Sequence, residues 1–217
     1  IGSAAVEWKL DGARIQAHRL GDEVRLFTRN LADITDRVPE IVDVLSALET
    51  SAVVRDGEAI ALRDDGRPEP FQVTMSRFGT KASADEARNA TPLSAFYFDC
   101  LHVDGEDLID APARSRLAAL DAHLPEKVVV PRIETDDPEV AQRFLDDALG
   151  RGHEGVMVKS LEAPYESGRR GAGWLKVKQA HTLDLVVLAA EWGHGRRQGK
   201  LSNLHLGARD PESGAFV

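Results

Sequence analysis

An α+β fold of antiparallel sheets with flanking helices is predicted by three features of the chain. Strand-like segments outnumber helical ones and come in hairpin-sized pieces. The regular strand-helix alternation that a doubly wound parallel sheet needs is missing. Two segments carry complete helix signals. One is DDPEVAQRFLDDALGRG, with Asp137 as N-cap, Pro138 at N1 and Gly150 or Gly152 near its end. The other is APARSRLAALDAHL, with Pro112 near its first turn. At 217 residues and 42% hydrophobic content, the chain can fill the core of one large domain, or of one domain plus part of another.

The elements follow in order. VEWKL, ARIQAHRL and EVRLFTR read as strands, the last two joined by a turn at Gly21-Asp22. The segment from Arg37 to Glu49 switches to helical spacing, with Ile41, Val44, Leu45 and Leu48 on one face. SAVVRDGEAIALRDDGRPEPF suggests two strands around turns at Asp56-Gly57 and Asp65-Gly66. Residues 76–91 are polar and read as a helix or a mobile loop. LSAFYFDCLHVDGEDLID is a strand, a turn at Asp104-Gly105 and a short continuation. KVVVPRIE, EGVMVKS and GWLKVKQ are strands, and DLVVLAAEW begins another after the connector AHTLD. A domain boundary is expected near His181 to Leu183.

Composition narrows the function. No apolar run is long enough to span a bilayer, and the N-terminus shows no basic-then-apolar signal, so the chain reads as soluble and intracellular. A single cysteine, Cys100, excludes an internal disulfide and a Cys-based zinc cluster; its apolar surroundings suggest a buried, inert thiol. The net charge is −9, from 27 basic and 36 acidic residues, which argues against nucleic acid. The distribution softens that. Residues 151–200 hold nine Lys or Arg against five Asp or Glu, so a positive region on an acidic body could face a phosphate backbone.

Several motifs fail on spacing. GHGRRQGKLS, from Gly193 to Ser202, fits neither a phosphate-binding P-loop nor a dinucleotide fingerprint, and no helical pattern follows it. The seven histidines lack metal spacing, and no G-x-S-x-G occurs. Four other stretches embed charge in apolar strand text: EWKLDGAR, DGEAIAL, EGVMVKS and WLKVKQ. Any one of them reads equally well as a solvated sheet face. If they converge, one site holds the cations Lys9, Arg14, Arg29, Lys176 and Lys178 with the carboxylates Glu58 and Glu154. Cations at that density suit a polyphosphate, and carboxylates beside it suit a hard divalent metal. Phe98 could offer its face to a base, and a lysine crowded by cations becomes available as a nucleophile.

In order, these stretches resemble the nucleotidyltransferase (adenylation) domain of the ATP-dependent DNA ligases. KLDGAR resembles that family's nucleophile motif, and LFTRN its next motif, with Thr28 where Ser is usual. DGEAIAL resembles the ribose-contacting strand. PFQV with Arg77 downstream resembles the replicative and archaeal type. AFYFDCLHVDG, EGVMVKS and WLKVKQ resemble the third, fourth and fifth motifs. LDLVVLAAEWGHGRRQGKLSNLHLGA resembles the entry to an OB-fold domain. The resemblance implies an ATP-grasp-like adenylation domain over residues 1–182 and the first strands of an OB-fold over 183–217.

It also implies roles. Lys9 takes AMP from ATP as a covalent lysyl-AMP, and Glu7 lies against the adenine edge. Phe98 stacks on the adenine and Glu58 binds the ribose hydroxyls. Arg14 and Arg29 hold phosphates of the nucleotide or of the nicked strand. Glu154 supports Mg2+ (or Mn2+), while Lys176 and Lys178 steady the α-phosphate. The implied partners are ATP and nicked double-stranded DNA, with no membrane. A monomer is expected, and a sliding clamp is a partner the residues do not specify. The family's DNA-encircling N-terminal domain and its C-terminal basic motif are absent from this text. The chain is therefore expected to bind nucleotide and charge itself, yet seal nicks poorly alone. RNA ligases and mRNA-capping enzymes share the lysine motif; a non-catalytic nucleic-acid or partner-binding module is the reading from another class.

Overall fold

The computed structural model describes residues 2–80, 82–167, 173–180 and 182–216. Two compact units emerge, Ile1–Lys178 and Gln179–Val217. The first unit contains two antiparallel sheets. One has four strands in the order β7-β1-β8-β9: β1 Ala4–Lys9, β7 Arg132–Thr135, β8 Gly155–Ser160 and β9 Trp174–Lys178. The other has five, in the order β3-β2-β4-β5-β6: β2 Ala13–Leu20, β3 Glu23–Thr28, β4 Ala52–Ala61, β5 Leu93–Val103 and β6 Glu106–Asp107. Helices α1 Pro39–Ser46, α2 Phe71–Gly79, α3 Ala84–Ala90, α4 Ala113–His123 and α5 Pro138–Gly150 flank them. The predicted α+β class with antiparallel sheets is what is found.

Strand alternation divides each sheet. On β1, Val6 and Trp8 join Val156, Ala148 and Phe144 in the core under α5, which leaves Ala5, Glu7 and Lys9 for the opposite face. In the five-stranded sheet, Ile15, Ala17, Val53 and Cys100 point into the main core with Ile41 and Leu45 of α1 and Leu120 of α4. Cys100 is buried, and burial raises its thiol, as an inert role requires.

Helix signals read from the text hold closely. Asp137 accepts from the Glu139 N–H at 2.8 Å, with Pro138 at the first helical position, and Gly152 takes the left-handed conformation just after the end of α5. Within residues 76–91 the helices are the end of α2, to Gly79, and a capped α3, Ala84–Ala90, whose Ser83 and Glu86 form a reciprocal capping box. Lys81 lies outside the described residues. Arg77 is no surface charge: it is buried on α2 and bonds Glu40 of α1 at 2.6 Å.

Three expectations change. The Asp56-Gly57 turn does not exist, because β4 runs straight through it with a shift of register against β5. A Cβ on Gly57 would meet the Phe96 carbonyl oxygen at 2.7 Å and the Tyr97 ring at 2.8 Å. The glycine therefore serves close strand approach, a use that sequence text does not separate from a turn. Val44 is 41% exposed, since α1 turns Ile41, Val42 and Leu45 to the core and leaves Val44 at the edge of that face. In KVVVPRIE the strand begins only at Arg132, after a 3₁₀ turn at Glu126–Val128.

The second unit contains the hairpin of β10 Val186–Trp192 and β11 Leu201–Gly207. GHGRRQGKLS makes the turn between them, with a 3₁₀ segment at Gly195–Arg197 and no phosphate-loop helix. His181, where the boundary was expected, lies outside the described residues. No helix among the described residues is long and apolar enough to cross a membrane.

A buried ion pair joins α4 to β5 and to the segment after β8. Arg116 Nε donates to Asp99 Oδ1 at 2.7 Å and Nη2 to Oδ2 at 3.3 Å, while Nη1 reaches the Ala163 carbonyl at 3.3 Å. Both side chains are at most 1% exposed. Arg116→Met should lower unfolding free energy in urea by about 3–5 kcal/mol, because Asp99 is left charged and unpaired. A loss below about 1 kcal/mol would contradict this account.

Candidate active site

A cleft of about 450 Å³ opens between the two sheets. Of the residues singled out in the sequence, Glu7, Lys9, Arg14, Arg29, Glu58, Phe98 and Lys176 line it. Glu154 and Lys178 are not on its wall, but both connect to Lys9. Glu154 precedes β8, and its N–H donates to the Lys9 carbonyl at 3.2 Å, which fixes the carboxylate beside the lysine. Lys9 and Lys178 both donate to Glu154, the latter at 2.7 Å. In register, Gly155 sits between Lys9 and Lys178 and has no side chain to hold them apart. Burial alone would raise the Glu154 carboxyl, but the hydrogen bonds from Lys178 and Lys9 outweigh it and hold it below its ordinary range.

The loop LDG that separates Lys9 from β2 is compact. A Cβ on Gly12 would lie 2.3 Å from the Ala59 carbonyl oxygen, so only glycine lets the turn pack on β4. Arg14 then falls opposite Glu58. Arg14 Nη2 donates to Asp56 at 2.6 Å, and its guanidinium carbon lies 5.3 Å from the centre of the Phe98 ring. Arg29, just beyond β3, reaches the rim and is exposed.

Glu7 is neither on the surface nor at a sheet edge. It is 2% exposed and paired with Lys159 at 2.5 Å. Burial raises its carboxyl against the lowering pull of Lys159, and Oε1 has no hydrogen-bond partner among the described residues. Lys159 is the main site residue the sequence reading passed over. Its ammonium lies 4.7 Å from the centre of the Phe98 ring and 4.3 Å from that of Trp174, and it donates to the Phe98 carbonyl at 2.9 Å. Strand alternation sets it with Met157 on the face away from Val156, but nothing local marks that face as the wall of a cleft. Tyr165, Asp56 and Trp174 were also missed, because their meeting joins stretches more than a hundred residues apart.

His153 stacks on Trp8 at 4.6 Å between ring centres and is buried. His102 pairs with Asp107 and His205 with Glu191. No cluster of three or more His, Cys, Asp or Glu occurs among the described residues.

The architecture defines a class, a nucleotidyltransferase domain whose two antiparallel sheets face each other across a charged cleft. Residues 1–178 match the family described as ATP dependent DNA ligase domain, and the chain belongs to that family. It is 63% identical over all of its length to a probable DNA ligase of Anaeromyxobacter sp. (strain Fw109-5), and 62% to one of Mycolicibacterium gilvum (strain PYR-GCK). It spans 42% of the length of each of these curated relatives. The solved structure of mycobacterial DNA ligase D complexed with ATP and MES matches with a TM-score of 0.66 and 26% identity, covering 99% of this chain and 65% of that one. The Chlorella virus DNA ligase-adenylate shares the fold at a TM-score of 0.57 and 18% identity, covering 99% and 76%.

Glu58 carries the clearest electrostatic signature. Desolvation raises its carboxyl from 4.5 to about 7, with Arg14, Lys9 and the Gly12 N–H opposing the rise. Carbon-detected NMR should find the Glu58 carboxyl titrating near 7, and higher still in Arg14→Gln. The folded protein then holds a proton the unfolded chain lacks, so this group's contribution to stability falls as pH rises from about 4.5 to about 7. A midpoint near 5 would mean that water reaches the group far more freely than the structure shows.

Proposed function

We propose that this domain is the catalytic domain of an ATP-dependent DNA ligase, in which Lys9 becomes a lysyl-AMP. One observation carries the reading: Lys9 ends β1 inside a cleft of nucleotide size, with Glu154 and Lys178 fixed beside it. In the first step the Lys9 amine, having lost its proton to solvent, attacks the α-phosphorus of ATP. The Nζ–P bond forms, the bond to the bridging α–β oxygen breaks, pyrophosphate leaves with that electron pair, and Nζ gives up a second proton to solvent. AMP then passes to the 5′-phosphate at a nick: a phosphate oxygen displaces Nζ, and the lysine regains a proton. Attack by the adjacent 3′-hydroxyl on the 5′-phosphorus releases AMP and seals the strand.

The other residues divide the binding. Phe98 offers a face to adenine. Glu7 Oε1, a buried acceptor without a protein partner among the described residues, suits the exocyclic amine of adenine. Glu58 receives the ribose hydroxyls. Arg14, Arg29, Lys176 and Lys178 hold phosphate oxygens. Glu154 fits Mg2+ (or Mn2+), because a hard cation is content with one or two carboxylates when phosphates and water complete its shell. Such a cation would screen charge on the phosphates. Residues 1–182 then form the adenylation domain and 183–217 the opening of an OB-fold, a division that the separate β10-β11 hairpin supports. Nicked double-stranded DNA is the proposed partner.

Intact mass of the chain with ATP and magnesium should rise by one AMP. Pyrophosphate should remove it, and Lys9→Ala should abolish it. No gain in mass under any of these conditions would remove the catalytic reading. Labelling by GTP in place of ATP would move it to a capping-type enzyme.

A further inference from the structure

Arg14 belongs to the five-stranded sheet, yet one of its partners does not. Tyr165 sits on the segment after β8, and its hydroxyl lies 3.2 Å from Arg14 Nη2 and 2.5 Å from Asp56 Oδ2. Asp56 is 1% exposed, and its other oxygen accepts from Gln16 Nε2 at 3.1 Å. The carboxylate is thus held on two sides and cannot turn. The tyrosine is held as firmly. Its N–H donates to the Ile109 carbonyl at 3.3 Å, its ring lies over Arg116 at 5.9 Å, and the edge of the Trp174 ring meets it at 6.2 Å. The Arg116–Asp99 pair secures the same segment through Ala163.

The three groups share one nitrogen. Both contacts to the Arg14 guanidinium go to Nη2; Nε and Nη1 make no hydrogen bond among the described residues, and the side chain is 37% exposed at the cleft. A guanidinium anchored through Nη2 cannot turn about its own bond, so the free Nη1 hydrogens hold one direction, where they can donate to a phosphate oxygen.

We propose that Tyr165 is a positioning residue for Arg14: its hydroxyl, carried from the other side of the cleft, locks the Asp56–Arg14 pair so that Nη1 faces an incoming phosphate. This rests on the nucleotide-binding reading of the cleft. The phosphate is that of the nucleotide or the 5′-phosphate of the nicked strand. Tyr165 itself touches neither, and acts through Arg14.

Tyr165→Phe removes the hydroxyl and keeps the ring. In the ligand-free protein, Arg14 should show separate Nη1 and Nη2 nitrogen resonances, because the anchored guanidinium rotates slowly; in Tyr165→Phe they should merge. Separate resonances in both proteins overturn the proposal without touching the catalytic reading. Calorimetry then identifies the phosphate. Loss of one charge-assisted hydrogen bond should weaken AMP binding about tenfold while adenosine binding holds, if the phosphate is the nucleotide's. If it is the strand's, the loss appears instead as reduced preference for a 5′-phosphate nick over a 5′-hydroxyl nick. In an Arg14→Lys background, Tyr165→Phe should add nothing further. Equal loss with adenosine, or full additivity with Arg14→Lys, would show a general packing role and overturn the assignment. Failure to form an AMP adduct, with these binding differences intact, would instead sink the catalytic step and leave the positioning role standing.

Discussion

A charge taken out of water must be paired, and that constraint organises the interior of this protein. The cleft between the sheets contains Glu7, Lys9, Arg14, Glu58 and Lys159, each shielded from solvent to a different degree. Glu7 answers Lys159, Glu154 answers both Lys9 and Lys178, and Asp56 answers Arg14. Glu58 is the exception. It has cations near it but no salt bridge among the described residues, and desolvation lifts its carboxyl to about 7. Pairs of this kind do little for net stability against an apolar core of equal volume. What they do here is set which charges are fixed and which donors and acceptors stay open for a ligand.

Most of these pairs close within one sheet, so pairing alone would not hold the cleft to a shape. Polar contacts that cross it do. Lys159 donates to the Phe98 carbonyl, Arg116 of α4 reaches Asp99 on one side and Ala163 on the other, and Tyr165 meets Asp56. Each crossing group is itself secured by a ring or a second hydrogen bond. The aromatic surface of Phe98 is therefore set relative to Lys9 by polar contacts and not by apolar packing alone. A nucleotide held against both would find its base and its α-phosphate positions already defined, which is how binding is converted into rate.

Much of the fold was legible, for reasons that differ by element. The α5 helix announced itself through Asp137, Pro138 and an amphipathic run, because capping and periodicity are local properties of a chain. The hairpin at Gly21-Asp22 and the turn at Asp104-Gly105 were legible on the same ground. Asp56-Gly57 was not. Its glycine answers to Phe96 and Tyr97, forty residues away, and the dipeptide looks the same whether the chain turns or another strand presses close. Val44 shows the related limit, since an apolar stripe states which side chains could be buried and not how far the partner surface extends.

The sequence by itself determined the chemistry on offer: a lysine before Asp-Gly, carboxylates and cations set in strand text, one phenylalanine in a buried strand, and the order that links them to the ligase family. Side-chain type and strand alternation are enough for that, because both are written residue by residue. Only the tertiary structure decided which of these groups share a dielectric environment. It made Glu7 a buried acceptor, left Arg29 at an exposed rim, and brought in Lys159, Asp56 and Tyr165. Desolvation depends on what lies on every side of a group, and the neighbours of Arg14, itself on β2, come from β4, β5 and the segment after β8. No spacing along the chain encodes that meeting; it exists only once the two sheets have closed on one another.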